Sequence, residues 1–134
     1  MPSRSTYKNI RTGNKKYCAD VYSGSTKDNI PIISYPCHNG TNQQFAYKKG
    51  TKQIHIKSSK KCLDVTNKNR VIQNRCNTRK KSQKWNYNPK TKQYISMKNK
   101  KCLDVAANKY NNGNLIVYPC HNRNNQKFTS RTSL

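Results

Sequence analysis

The residues with the most chemical reach in this chain are its acids, because there are so few. Its 134 residues hold 28 Lys and Arg against four Asp, with no Glu, for a formal charge of +24. Three of those acids close the same phrase: Cys18-Ala19-Asp20-Val21, Cys62-Leu63-Asp64-Val65 and Cys102-Leu103-Asp104-Val105. A carboxylate kept at one point of a cationic chain has two uses. It accepts strong, charge-assisted hydrogen bonds from a polar guest, or it satisfies main-chain amides in a turn. Catalysis is not a third. The phrase offers no paired carboxylates and His55 has no identifiable partner, so the chain is read as a non-enzyme.

The phrase belongs to a longer repeat, and repeats are read before local structure. Cys18, Cys62 and Cys102 stand 44 and 40 residues apart. Each is followed by a second cysteine, Cys37, Cys76 and Cys120, and then by a Gln-x-aromatic triplet. The triplets are Gln43-Gln44-Phe45, Gln83-Lys84-Trp85 and Gln126-Lys127-Phe128. Copies one and three agree further, in Tyr35-Pro36-Cys37-His38-Asn39 and Tyr118-Pro119-Cys120-His121-Asn122.

The elements that must position these residues are strands. Ile54–Lys57 and Tyr94–Met97 alternate or nearly so, and Ile30–Tyr35 and Leu115–Tyr118 are β-branched or aromatic runs. Clusters such as Asn111-Asn112-Gly113-Asn114 mark turns. No window keeps a helical period. Three units of several short strands imply a closed all-β body with threefold pseudosymmetry.

The tripled Cys-x-Asp-Val, second cysteine and Gln-x-Phe/Trp together resemble the ricin B-type lectins, from about Asn9 to Phe128. The resemblance implies an all-β, disulfide-stapled β-trefoil. It is expected to be one domain over 1–134, with repeats at about 9–50, 51–93 and 94–134. The repeat makes one cysteine pairing natural among the many that six cysteines allow. It is Cys18–Cys37, Cys62–Cys76 and Cys102–Cys120, and the family often bridges these positions. No metal or other cofactor is expected. There is no Cys-x-x-Cys, and His38 and His121 each adjoin a cysteine expected to be bridged.

A neutral sugar offers hydroxyl pairs and a flat C–H face. Gripping it takes a carboxylate, an aromatic ring and an amide. By resemblance, Asp20, Tyr35, Asn42 and Gln43 match the family's sugar-binding Asp, stacking ring, binding Asn and the Gln that braces the Asp. Asp104, Tyr118, Asn125 and Gln126 match them in unit three. Unit two keeps Asp64 and Gln83, but Asn74 replaces the ring and Ser82 the Asn, and its Cys–Cys loop is shorter, 14 against 19 and 18. It is read as a structural copy without a pocket. Ile33 and Ile116 stand where the family often has a polar contact. Phe45, Trp85 and Phe128 are expected in the core. Asn39-Gly40-Thr41 is a formal glycosylation sequon, most simply an unmodified loop.

Composition alone points elsewhere. Leu, Ile, Val and Phe total only 20 residues, a range associated with disorder at this charge. Phasing of the apolar residues with the repeat argues for a folded domain. So do the six cysteines, since three bridges would each contribute about 3 kcal/mol in the chain-entropy model.

The charge implies anionic surroundings. An AT-rich gene would explain the many Lys and Asn but not the missing Glu. Lys15-Lys16, Lys60-Lys61 and Lys100-Lys101 precede the first cysteine of each unit, on turns that threefold symmetry would make equivalent. Expected partners are glycans or glycoproteins, with anionic polymers, acidic protein neighbours or a membrane surface attracted by charge. There is no basic helix or RNA-binding signature, so no sequence-specific nucleic acid is expected, and there is no transmembrane segment.

Disulfides favour an extracellular or virion-associated location, although no signal peptide is visible after Met1. The leading expectation is non-catalytic binding of galactose- or GalNAc-type glycans. The alternative is a basic structural or packaging protein, such as a minor virion component. A toxin or adhesin subunit is the third.

Overall fold

The computed structural model describes residues 6–131, which form twelve short strands and no α-helix among the described residues. The first four are β1 (Asn9–Thr12), β2 (Tyr17–Val21), β3 (Ile30–Pro36) and β4 (Phe45–Lys48). The pattern then repeats as β5 (Gln53–Ile56), β6 (Cys62–Val65), β7 (Val71–Asn74) and β8 (Trp85–Asn88). The last four are β9 (Gln93–Ser96), β10 (Cys102–Val105), β11 (Gly113–Tyr118) and β12 (Phe128–Arg131).

Pairing follows the repeat. The second and third strands of each quartet form an antiparallel hairpin: β2 with β3, β6 with β7, β10 with β11. The outer strands join neighbouring quartets: β4 with β5, β8 with β9, and β12 with β1. Equivalent backbone bonds of 2.8 Å close each quartet on itself, from the Phe45, Trp85 and Phe128 amides to the Lys8, Lys52 and Lys92 carbonyls. This is a β-trefoil: six outer strands closed as a barrel, with three hairpins capping it.

So few apolar residues suffice because each core position is used three times. Phe45, Trp85 and Phe128 are buried together, as expected of shared core rings. Ala19, Leu63 and Leu103, and Val21, Val65 and Val105, are buried at equivalent positions of the three hairpins and join the same core. Tripled positions of this kind fill a small core without a long hydrophobic run.

Turns use the same economy. Asn29, Asn69 and Asn112 precede the third strand of each quartet with φ of 65°, 66° and 62°. Asn tolerates this left-handed region better than most residues. The lysine pairs sit on the turns between the first and second strands, and Lys15, Lys60 and Lys100 have φ of 64°, 62° and 62°.

All six cysteines are bridged in the expected pairing, Cys18–Cys37, Cys62–Cys76 and Cys102–Cys120. Each bridge ties the start of a hairpin to the residue just beyond it, so it holds the whole excursion closed. Replacing Cys62 and Cys76 with Ser should lower the unfolding free energy by about 3 kcal/mol. The midpoint of a urea titration measures this. An unchanged midpoint would mean the bridge contributes nothing beyond the packing.

Candidate functional site

The register of the three hairpins sets the site. In each, the first cysteine faces the position two before the second: Cys18 opposite Tyr35, Cys62 opposite Asn74, Cys102 opposite Tyr118. Asp20, Asp64 and Asp104 face Ile33, Ile72 and Ile116. Alternation along the strand therefore puts the ring and the carboxylate on one face, two residues apart.

A buried glutamine then fixes the carboxylate. Gln43, Gln83 and Gln126 end short 3₁₀ turns and are fully buried. The amide nitrogen of each donates to its Asp, over 2.7, 3.3 and 2.9 Å. It also donates to the carbonyl before the second cysteine: Pro36 at 3.0, Arg75 at 2.9 and Pro119 at 3.0 Å. The amide oxygen accepts the main-chain N–H after that cysteine, at 2.8 Å from His38, Asn77 and His121 alike. Both donors and the acceptor of each side chain are used.

In repeats one and three the remaining carboxylate oxygen meets the predicted asparagine. Asn42 donates to Asp20 Oδ1 at 3.2 Å and Asn125 to Asp104 Oδ1 at 3.1 Å. Tyr35 and Tyr118 are 41% and 52% exposed, so their rings face outward rather than into the core. The structure thus brings Asp20, Tyr35, Asn42 and Gln43 together at one cleft of about 350 Å³, and Asp104, Tyr118, Asn125 and Gln126 at a second of about 310 Å³. The glutamines lie behind each carboxylate rather than on the cleft wall. Ile33 and Ile116 line the clefts.

Several lining residues escaped the sequence reading. His38 Nε2 lies 3.4 Å from Asp20 Oδ2, and His121 Nε2 3.6 Å from Asp104 Oδ2. The amides of Gly40 and Arg123 donate to the two Nδ1 atoms at 2.8 and 3.1 Å. A neutral ring so held carries its proton on Nε2, aimed at the carboxylate. Each histidine also stands edge-on to its tyrosine, centroids 6.5 Å apart. The signal was the Tyr-Pro-Cys-His-Asn run shared by copies one and three and missing from copy two.

The cleft walls come from the longer loops. After Val21 and Val105 the chain makes a 3₁₀ turn in which Ser23 and Ala107 have φ of 55° and 54°. Both residues line their clefts. Asn112 reaches cleft one from repeat three. Repeat two lacks such a turn among its described elements, which accounts for its shorter Cys–Cys loop.

Asp64 is held differently. Lys80 Nζ donates to it at 2.9 Å, Asn74 at 3.1 Å, and the Val65 main-chain N–H at 2.8 Å. Lys80 thus meets the same carboxylate oxygen, Oδ2, that His38 and His121 face in the other two repeats. Electrostatics follow. Burial pushes the Asp20 and Asp104 carboxyls above the ordinary 3.8, against the pull of Gln43 and Gln126. Burial also acts on Asp64, but hydrogen bonds from Ser82, Lys80, Asn74 and Gln83 together outweigh it and hold its carboxyl low.

His55 lies beside the Cys62–Cys76 bridge, with Nδ1 3.7 Å from Cys76 Sγ. With both sulfurs in the bridge, neither is a thiolate able to ligate a metal.

Against known proteins, the sequence model of the ricin-type β-trefoil lectin domain matches residues 6–128. The chain belongs to that family. Carbohydrate binding is the family's general activity, and it is a non-catalytic one. No curated protein sequence matches at a significant level. Among solved structures, the designed threefold-symmetric protein ThreeFoil is similar at 25% identity with a TM-score of 0.85, covering 94% of this lectin-family chain and 98% of its own. The C-half of an earthworm R-type lectin, in complex with GalNAc, shares 14% identity at a TM-score of 0.83, with the same coverages. The β-trefoil lectin of the Vibrio vulnificus hemolysin, with N-acetyl-D-lactosamine bound, shares 20% at 0.82, with 98% of each chain covered. At these identities, the earthworm and Vibrio structures speak for the fold.

The opposite pKa shifts give a test by stability. Asp64 titrates lower in the folded state than unfolded. Its ionisation stabilises the fold above the ordinary carboxylate range, and that contribution fades as pH falls through its lowered value. Asp20 and Asp104 titrate higher when folded, so their ionisation costs stability as pH rises from 3.8 through their raised values. Asp64→Asn should therefore cost about 1–3 kcal/mol at neutral pH, shrinking in acid. Asp20→Asn and Asp104→Asn should show the opposite trend, their losses shrinking as pH rises through the raised values. Chemical denaturation at two pH values separates them, and equal losses at all three would refute the distinction.

Proposed function

We propose that the protein binds galactose- or GalNAc-type glycans through two clefts, one in repeat one and one in repeat three. Asp20 and Asp104 accept from a pair of sugar hydroxyls. Asn42 and Asn125 bond at the edge, and Tyr35 and Tyr118 cover the C–H face. Gln43 and Gln126 act behind them, holding the carboxylates in place.

The observation that carries this reading is the contrast among three otherwise equal acids. Asp64, in the repeat without a ring, is closed off by Lys80 and a main-chain amide. Among the described residues, Asp20 and Asp104 have no lysine partner, meet only side-chain amides and a histidine, and lie beside exposed tyrosines. The GalNAc and N-acetyl-D-lactosamine complexes of the similar structures agree with this sugar class.

Two modest clefts on one body act together on clustered glycans, because the second contact forms at a high effective concentration. The positive surface adds a salt-dependent attraction to acidic surfaces.

A glycan array and titration calorimetry test the proposal. The Asp20→Asn/Asp104→Asn double variant should lose galactoside binding while keeping its fold. Tyr35→Ala or Tyr118→Ala should each weaken its own cleft about tenfold. Binding that ignores free galactose, persists in the double variant and collapses with salt would point instead to a basic scaffold for acidic partners.

A further inference from the structure

The two clefts share a floor and differ at the rim. Counting from the second cysteine, Cys37-His38-Asn39-Gly40-Thr41-Asn42 aligns with Cys120-His121-Asn122-Arg123-Asn124-Asn125. Both stretches make the same bonds, since the Gly40 and Arg123 amides donate to the histidines and the asparagines reach the carboxylates. The difference is the side chain at one position. At Gly40 an added Cβ would lie 2.7 Å from His38 Cε1 and 2.8 Å from Asn42 Oδ1, so cleft one leaves it no room as it stands. In repeat three the same position carries an arginine, which lines the cleft and is exposed.

That guanidinium is uncommitted. Among the described residues it has neither an ion pair nor a side-chain hydrogen bond. Asp104, the acid of its own cleft, is held by Gln126 and Asn125 and faced by His121. The other rim differs too. Cleft one is walled by half-exposed Tyr22 and by Asn112, whereas cleft three has Ala107 and Asn108. Cleft one therefore offers a second ring and an amide beside the sugar, and cleft three offers a cation.

Building on the carbohydrate reading above, we propose that cleft three takes a galactoside bearing an anionic substituent, a carboxylate or a sulfate, read by Arg123. Cleft one takes the neutral sugar. Arginine suits the role because its planar fork meets either anion through two parallel hydrogen bonds. Arg123 lines cleft three, and among the described residues no basic side chain lines cleft one apart from His38.

Single-cleft proteins make the test. Asp104→Asn leaves cleft one and Asp20→Asn leaves cleft three. Each is titrated with a neutral galactoside, a sulfated one and a sialylated one at one ionic strength. The Asp20→Asn protein should bind at least one anionic galactoside about five- to tenfold more tightly than the neutral one. The Asp104→Asn protein should show ratios within about twofold of unity. Arg123→Gly in the Asp20→Asn background should bring its ratio down to that level. The sulfate and sialate arms identify which anion is read. Equal ratios in the two single-cleft proteins, or a preference that survives Arg123→Gly, would overturn the proposal and leave the carbohydrate reading intact. Failure of both proteins to bind any galactoside would overturn both.

Discussion

The structure depends on a glutamine amide used three times. Gln43, Gln83 and Gln126 each join a strand carboxylate, the carbonyl before a cysteine and the amide after it. These groups come from three stretches of a repeat that would otherwise leave buried polar atoms unmatched, at about 1–3 kcal/mol each. The same amide thus closes the hairpin, seats the disulfide and aims the acid. An aromatic ring two residues later enters the core, so the brace also anchors the barrel. Substituting glutamate there would set two carboxylates against each other, and asparagine would be too short to span the three partners.

One brace serves two outcomes. In repeat two the acid is neutralised from within by Lys80, and the unit contributes structure. In repeats one and three, neutral amides and a histidine surround it, and a loop about one turn longer raises a wall beside it. The choice between these outcomes lies outside the brace, in the loop length, the ring position and the residue before the glutamine. A trefoil can lose one cleft without losing a strand because these variable positions carry little of the packing.

Much of this was legible in the sequence, since a threefold body writes its constraints three times. The strands, the core rings and the cysteine pairing followed from phase alone or from family likeness. The meeting of Asp20 with Tyr35 and Asn42, and of Asp104 with Tyr118 and Asn125, followed from the same motifs. Other features were not legible because they depend on reach across space. The Lys80 ammonium finds Asp64 over a distance that no spacing rule encodes. Asn112 enters cleft one from a repeat far along the chain. His38 and His121 entered the sequence reading only as unsuitable metal ligands, although their presence in only two of three copies marked them. The left-handed Ser23 and Ala107 break propensity outright, as do the lysines of the plain turns, so residue type did not announce them.

The outer barrel has three seams of the same construction. At two of them a tight turn stitches the strands, Lys49-Gly50-Thr51-Lys52 between β4 and β5 and Pro89-Lys90-Thr91-Lys92 between β8 and β9. At the third, β12 pairs with β1, the last strand with the first, through the ladder from Asn9–Arg131 to Thr12–Phe128. Joining the two strands there and cutting the chain at either turn would give a circularly permuted polypeptide with the same barrel and the same cap. Order along the chain is thus separable from order around the axis, and a fused cargo could leave the molecule at any of three bearings.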